Sequence, residues 1–350
     1  LKGGLTLRVI GSKARVNIGF FLSMLAVSGI VPSSATAQTQ YISERHEVLQ
    51  SKLAALSRRA LPGQIGIAVL DHRTGEQWGI NQNTPFPMMS VFKAPVAAAV
   101  LARVDAGKYD LADRIELNPA DFVEGSAVPS IGDALKVGHT HFELRELLAA
   151  AVSQSDNTSV DALIRLLGAP SDVTNYLQSK HIAGMHVETG EQGYAEEAEH
   201  LSPGAKPPAH ETENQTLARE KEGYLAVLAD PRNQSTPVAA IDFLTKLADQ
   251  QLLSPRSTEL LIGMMRKQTL PSRLRAGLPS GFELADKCGT TSPVNGKTAV
   301  WNDIGIVTGP DGHQLMIAVF LKDSPLSRQA RDELFADIAR TVISQFYSAL

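Results

Sequence analysis

The spacing of apolar and polar positions changes period twice along this chain of 350 residues. Residues 64–71 (QIGIAVLD) are rich in β-branched side chains and predict a strand. A polar turn at 72–75 and a return at 76–80 complete a predicted β-hairpin. Residues 91–106 are apolar and Ala-rich and stop at Gly107, the pattern of a buried helix. Residues 142–154, 159–167, 239–251 and 257–267 continue in helical spacing. The period then reverts: 284–287, 298–308 and 315–322 predict strands, with GPDG at 309–312 as a hairpin turn. Residues 328–348 close the chain as a helix. One segment fits neither period. Residues 186–236 are acidic and polar, with SPGAKPP at 202–208 and a short predicted helix at 218–229.

Strands at both ends and helices between them predict an α/β fold of the α+β sandwich kind. A five-stranded antiparallel sheet flanked by helices carries an inserted all-helical lobe. The α/β lobe is expected at about 38–87 plus 270–350 and the helical lobe at about 88–269. A cleft between the lobes is the expected place for chemistry.

Residues 1–37 stand apart. Lys2, Arg8, Lys13 and Arg15 precede an apolar run at 18–31, and Ala35-Thr36-Ala37 follows. That order reads as a secretory signal peptide cleaved near Ala37, which predicts an exported, periplasmic or secreted protein. Loss of its four cations takes the net charge from −4 to −8. An acidic protein is poorly suited to nucleic acid or an anionic membrane. No other apolar run is long enough to anchor it in a bilayer. The lone cysteine, Cys288, excludes an internal disulfide. His139 and His141 lack companions at metal-binding spacing and read as loop residues, so no metal and no cofactor is implied. The protein is expected to be a monomer.

Three short motifs carry chemistry together and little alone. In Ser90-Val91-Phe92-Lys93, residues three apart on a helix share a face, so Lys93 reaches a serine hydroxyl that needs a base to become nucleophilic. A match of this length arises by chance about once in a chain of this size. Ser155-Asp156-Asn157 lies at a break between helices, where Ser can relay a proton and Asn can donate to an amide carbonyl; the plainer reading is a helix N-cap. In Lys287-Cys288-Gly289 a strand lysine can meet a carboxylate, and glycine lets a substrate lie close. The plainer reading is a strand end.

Taken in order, SVFK, SDN and KCG resemble the S-x-x-K, S-D-N and K-T-G set of class A serine β-lactamases and penicillin-binding proteins. Residues 236–322, with TPVAAIDFL, LRAGLPSGFELADKCGT and TAVWNDIGIV, are similar to the C-terminal half of a class A enzyme, and Asn302-Asp303 matches its Asn-Asp pair. The resemblance covers most of the chain after residue 37 and is loosest at 186–236. It implies hydrolysis of penicillin- or cephalosporin-type β-lactams through an acyl-enzyme, with resistance as the outcome. Ser90 would be the nucleophile and Lys93 a base. Ser155 would be the proton relay, and Asn157 the side-chain amide holder. Lys287, Cys288 and Gly289 would form the carboxylate side, and the N–H groups of Ser90 and Thr290 the oxyanion hole.

Two features depart from the family. Cys288 replaces a threonine, and a partly accessible thiol is expected there. The family's E-x-x-L-N is absent; its glutamate is best matched by Glu191, in a lengthened omega-type loop, with Ala195 where the Asn would stand. Glu196, Glu197 and Glu199 are the other candidates. The same motifs also suit a D-Ala-D-Ala peptidase, or a sensor that stays acylated.

Overall fold

The structure, a computed structural model, describes residues 34–347 apart from 203, 204, 206, 207, 209 and 271. The leader read over residues 1–37 lies, up to residue 33, outside the described residues. The chain divides into two compact units, residues 1–42 and 43–350, and the second holds both the sheet and the helical core.

The expected five-stranded antiparallel sheet is present. Its spatial order is Gln77–Ile80, Gln64–Asp71, Gln314–Ser324, Lys297–Thr308, Glu283–Thr290, with the two-residue strand Pro293–Val294 added beside Lys297–Thr308. Side chains alternate across it. Ile65, Ile67 and Val69 share one face with Ile317, Val319 and Leu321. They pack on Leu49 and Leu53 near the amino end and on Leu334, Phe335, Ile338 and Val342 of the closing helix Arg328–Phe346. The opposite face presents Ala68, Ile304, Met316, Ala318 and Phe320 to the helical core. Both faces are therefore covered, which is why these strands read as nearly continuous apolar runs.

The helical core surrounds Lys93–Asp105, whose first nine residues are all buried. A helix apolar on every side belongs in an interior. The tight turn Met89–Phe92 precedes it, so Ser90 sits in a single 3₁₀ turn at the helix entrance.

Some elements differ from the pattern reading. The stretch 142–154 begins as a short strand, His141–Glu143, paired with Arg114–Glu116; it continues as the helix Leu144–Ala149 and ends in a π turn, Ala150–Gln154. His141 thus lies in a strand and not in a loop. The helix Pro170–Ser179 was not anticipated. The polar segment is largely ordered: it holds the strand Met185–Val187, the helices Glu191–Ala198 and Glu213–Ala229, and the strand Asn233–Ser235. Its second helix is five residues longer at its start than the short predicted one. Thr212 caps it through Gln215, and only Gly223 and Val227 are buried along 17 residues, so no apolar stripe announces it. Among the described residues, no helix is long and apolar enough to cross a membrane.

Asn302 joins the sheet to the turn that carries Ser90. It is fully buried and donates through Nδ2 to the carbonyls of Pro87 (2.8 Å) and Met88 (3.1 Å), while its Oδ1 accepts from Leu321 N at 3.3 Å. Asn302→Ala is expected to lower stability by roughly 2–4 kcal/mol, because buried carbonyls lose their donor. A urea midpoint that falls at constant m-value is the readout. A change within experimental error would mean that this tether contributes nothing to stability.

Candidate active site

The turn that carries Ser90 is held from behind and below. Met89 takes a left-handed conformation (φ 46°), an uncommon choice for a residue with a side chain. Met88 N donates to Asn233 O at 2.9 Å, and Asn302 holds the Pro87 and Met88 carbonyls. A Cβ on Gly289 would stand 2.3 Å from Met88 O and 3.2 Å from Ser90 N. Only glycine lets the strand Glu283–Thr290 come this close to Ser90.

Lys93 is the hub. Its ammonium is buried and lies 3.0 Å from Ser90 Oγ, 2.9 Å from Ser155 O, 3.2 Å from Ser155 Oγ and 2.6 Å from Asn157 Oδ1. Glu191 Oε1 completes the shell at 2.8 Å and also accepts from Ser90 Oγ at 3.1 Å. Ser155 in turn lies 3.1 Å from Lys287 Nζ, so its hydroxyl sits between two lysines. Ser155 reaches this position through a left-handed turn (φ 57°) at the end of the π turn. Backbone strain therefore falls on both sides of Lys93, at Met89 and Ser155. Asp156, between Ser155 and Asn157, is the helix cap: its carboxylate accepts from Ser159 N at 2.7 Å and from Ile131 N at 3.1 Å. The cap reading and the chemical reading of Ser155-Asp156-Asn157 both hold, for different residues. Asn157 Nδ2 donates to Glu124 O at 2.6 Å.

Glu191 begins a short helix whose orientation depends on a residue the sequence reading did not single out. Asp161 Oδ1 accepts from Glu191 N (2.7 Å) and Oδ2 from Gln192 N (2.9 Å). Burial pushes the Asp161 carboxyl up to about 6, against the two N–H donors, which favour its charged form. A legible signal existed: Asp161 stands four residues after Asn157, on the same helix face. Tyr194, one turn into the Glu191 helix, packs against Phe92 and donates its hydroxyl to Asn233 O at 3.0 Å. Asn233 Oδ1 also accepts from Glu188 N and Thr189 N.

The strand Glu283–Thr290 sorts its side chains by alternation. Lys287 faces Ser155, while Asp286 and Cys288 both meet Gln268 Nε2, each at 3.2 Å. The expected accessible thiol is not found: Cys288 is 3% exposed and opposes the buried Asp303 across the ladder. Burial and Asp286 push Asp303 well above the carboxylate range. Burial pushes the Lys287 ammonium down to about 8. Thr290 is exposed at the strand end, and its hydroxyl accepts from Arg273 Nη2. Arg273 was also missed. Its guanidinium is buried over the Trp301 ring at 4.0 Å and donates to the carbonyls of Gly289 and Asn302.

Ser90, Asn157, Glu191 and Thr290 open on one cleft of about 380 Å³. The structure thus gathers Ser90, Lys93, Ser155, Asn157, Glu191 and Lys287 into one hydrogen-bonded cluster, with Gly289 and Thr290 at its edge and the Cys288 side chain turned away. Glu197 is engaged elsewhere, with Arg232, and Glu199 with Arg219.

Similarity to known proteins shows the family. The sequence model of the β-lactamase enzyme family matches residues 48–346. The chain is 32% identical over 278 residues to the extended-spectrum β-lactamase PER-1 of Pseudomonas aeruginosa, covering 79% of this chain and 80% of that one. It is 29% identical over 285 residues to the β-lactamase VEB-1 of the same organism, covering 81% and 85%. Among solved structures, a β-lactamase from Chitinophaga pinensis superposes with a TM-score of 0.71 at 30% identity, over 84% of this chain and 98% of that one. An ancestral class A β-lactamase gives 0.69 at 32% identity, over 85% and 99%. The chain belongs to the β-lactamase enzyme family, as a serine β-lactamase of class A.

Proposed function

We propose that this cleft hydrolyses penicillin- and cephalosporin-type β-lactams through an ester on Ser90, and so confers resistance. The observation that carries the reading is that Ser90 Oγ touches both a lysine and a carboxylate, at 3.0 and 3.1 Å. Lys93 and Glu191 act together as the base: the carboxylate takes the proton of the hydroxyl as Oγ bonds to the lactam carbonyl carbon, and the paired ammonium relays a proton onward. The N–H groups of Ser90 and Thr290 receive the developing oxyanion. The C–N bond of the ring then breaks, and the nitrogen takes the proton of Ser155, which Lys93 replaces from 3.2 Å away while recovering the proton that Glu191 took from Ser90. Asn157 orients the acyl side-chain amide. Lys287 and Thr290 face the substrate carboxylate, and Cys288 steadies their strand from its buried side.

Deacylation needs a base that can draw a proton from water beside the ester. Glu191 supports that step because its Oε1 lies 3.1 Å from Ser90 Oγ, beside the acyl carbon that water must attack and the oxygen that must leave. This favours a turning-over hydrolase above a peptidase or sensor that remains acylated. The catalytic unit is read as residues 38–350, acting as a monomer after export to the periplasm or medium, with residues 1–37 as the leader.

Mass spectrometry of protein mixed with benzylpenicillin tests the two steps separately. Ser90→Ala should form no adduct and show no turnover. Glu191→Gln should acylate and then hold the adduct, with deacylation slower by about 10²–10⁴-fold. A Glu191→Gln protein that turns over like the wild type would place the base elsewhere.

Lys287 generates a pH test. Below about 8 its ammonium is charged and attracts the substrate carboxylate; above it the charge is lost. kcat/KM should therefore fall on an alkaline limb with a midpoint near that value, mainly through KM. Lys287→Arg keeps its charge at every accessible pH, so the limb should move out of range. The same limb in the arginine variant would assign it to another group.

A further inference from the structure

The helix Glu213–Ala229 gives the cleft a second wall. It is bound to the Glu191 helix at Gly223, where a Cβ would stand 2.0 Å from Ala198 O. Arg219 bridges Glu199 and Glu211 at the same junction. At its other side Tyr224 donates its hydroxyl to Asp323 Oδ1 at 2.5 Å, and Lys297 pairs with the same carboxylate at 3.3 Å. The helix is thus tied both to the element that carries Glu191 and to the sheet.

The cleft that begins at Ser90 extends beneath this wall to Tyr224, Val227, Pro293 and Val294. Those side chains supply an aromatic and apolar surface. The charged groups lining the cleft are all acidic, Glu124, Glu191, Glu199 and Glu220, with no Lys, Arg or His among the lining side chains. Glu191 is compensated by Lys93, and Glu199 by Arg219. Glu124 and Glu220 have no ion-pair partner among the described residues. A concave site lined by one sign of charge between apolar walls concentrates its field on whatever enters.

We propose that the helix Glu213–Ala229 makes the outer part of the cleft a subsite for acyl side chains that combine an aromatic group with a positive charge, with Glu124 and Glu220 as the specificity-determining residues. This rests on the lactamase reading. The reactive lactam is placed at Ser90 and Lys287, while the side chain runs past Asn157 toward Tyr224. An ammonium there meets two uncompensated carboxylates, and a carboxylate there is repelled by them.

Three penicillins differ only at the side-chain α-carbon: hydrogen in benzylpenicillin, ammonium in ampicillin and carboxylate in carbenicillin. At a pH that keeps the amine charged, kcat/KM should rank ampicillin first and carbenicillin last. The spread expected for reversing one charge beside two partly screened carboxylates is about tenfold. Added sodium chloride should narrow that spread in the wild-type protein, by shortening the range of the field. The double variant Glu124→Gln/Glu220→Gln should bring the ampicillin-to-carbenicillin ratio close to one, each rate being referred to that variant's own benzylpenicillin rate. A spread that survives both salt and the double variant overturns the proposal, as does a preference for carbenicillin. Absence of benzylpenicillin turnover in the wild type would instead sink the lactamase reading itself.

Discussion

The whole site depends on one buried charge. Lys93 is entirely removed from solvent, and an ammonium in that position is stable only with a counter-charge and enough oxygens to accept its protons. Glu191 gives the charge, and Ser90, Ser155 and Asn157 give the oxygens. These groups come from a 3₁₀ turn, a helix break and a short helix more than 30 residues further on. Satisfying Lys93 therefore fixes three chain segments against one another. Removing one partner of such a pair leaves an uncompensated charge, at a cost of about 3–5 kcal/mol. The same requirement accounts for the left-handed backbone at Met89 and Ser155, because each aims an oxygen-bearing neighbour or side chain at the ammonium.

The sheet answers the hub from the other side. Glycine at 289 permits the strand to touch the Ser90 turn, and Asn302 holds that turn by its carbonyls. Lys287 then completes a line of two ammonium groups with one serine hydroxyl between them. Its neighbours on the strand, Asp286 and Cys288, belong to a separate group with the buried Gln268 and Asp303 and the half-buried Arg275. Replacement of the family's threonine by Cys288 therefore alters the packing behind the strand, while the hydroxyl presented to the cleft is that of Thr290, held by Arg273.

Much of this was legible from residue order. Runs such as QIGIAVLD and TAVWNDIGIV are long, β-branched and bounded by turn residues, so the sheet strands declared themselves. Ser90, Lys93, Ser155, Asn157 and Lys287 were legible because two of the three motifs place their groups within a helical turn or a tight loop. The helix Glu213–Ala229 was read short because it buries little and lies against the rim of the cleft. Asp161 and Arg273 were missed because their partners, the N–H groups of Glu191 and Gln192 and the carbonyls of Gly289 and Asn302, come from other segments.

The sequence by itself determined the strand and helix periods, the local spacing of the motifs and the family they resemble, since each depends on side chains a few residues apart. Only the tertiary structure decided which glutamate meets Lys93, which way Cys288 points and what covers the outer cleft. Glu191, Glu196, Glu197 and Glu199 stand within nine residues of one another and differ little in local chemistry. What separates them is the pull of Asp161 on two backbone N–H groups and the seat of Tyr194 on Phe92. Those are contacts between distant segments, and burial of an ammonium in a low-dielectric interior is what makes only one of the four carboxylates its partner.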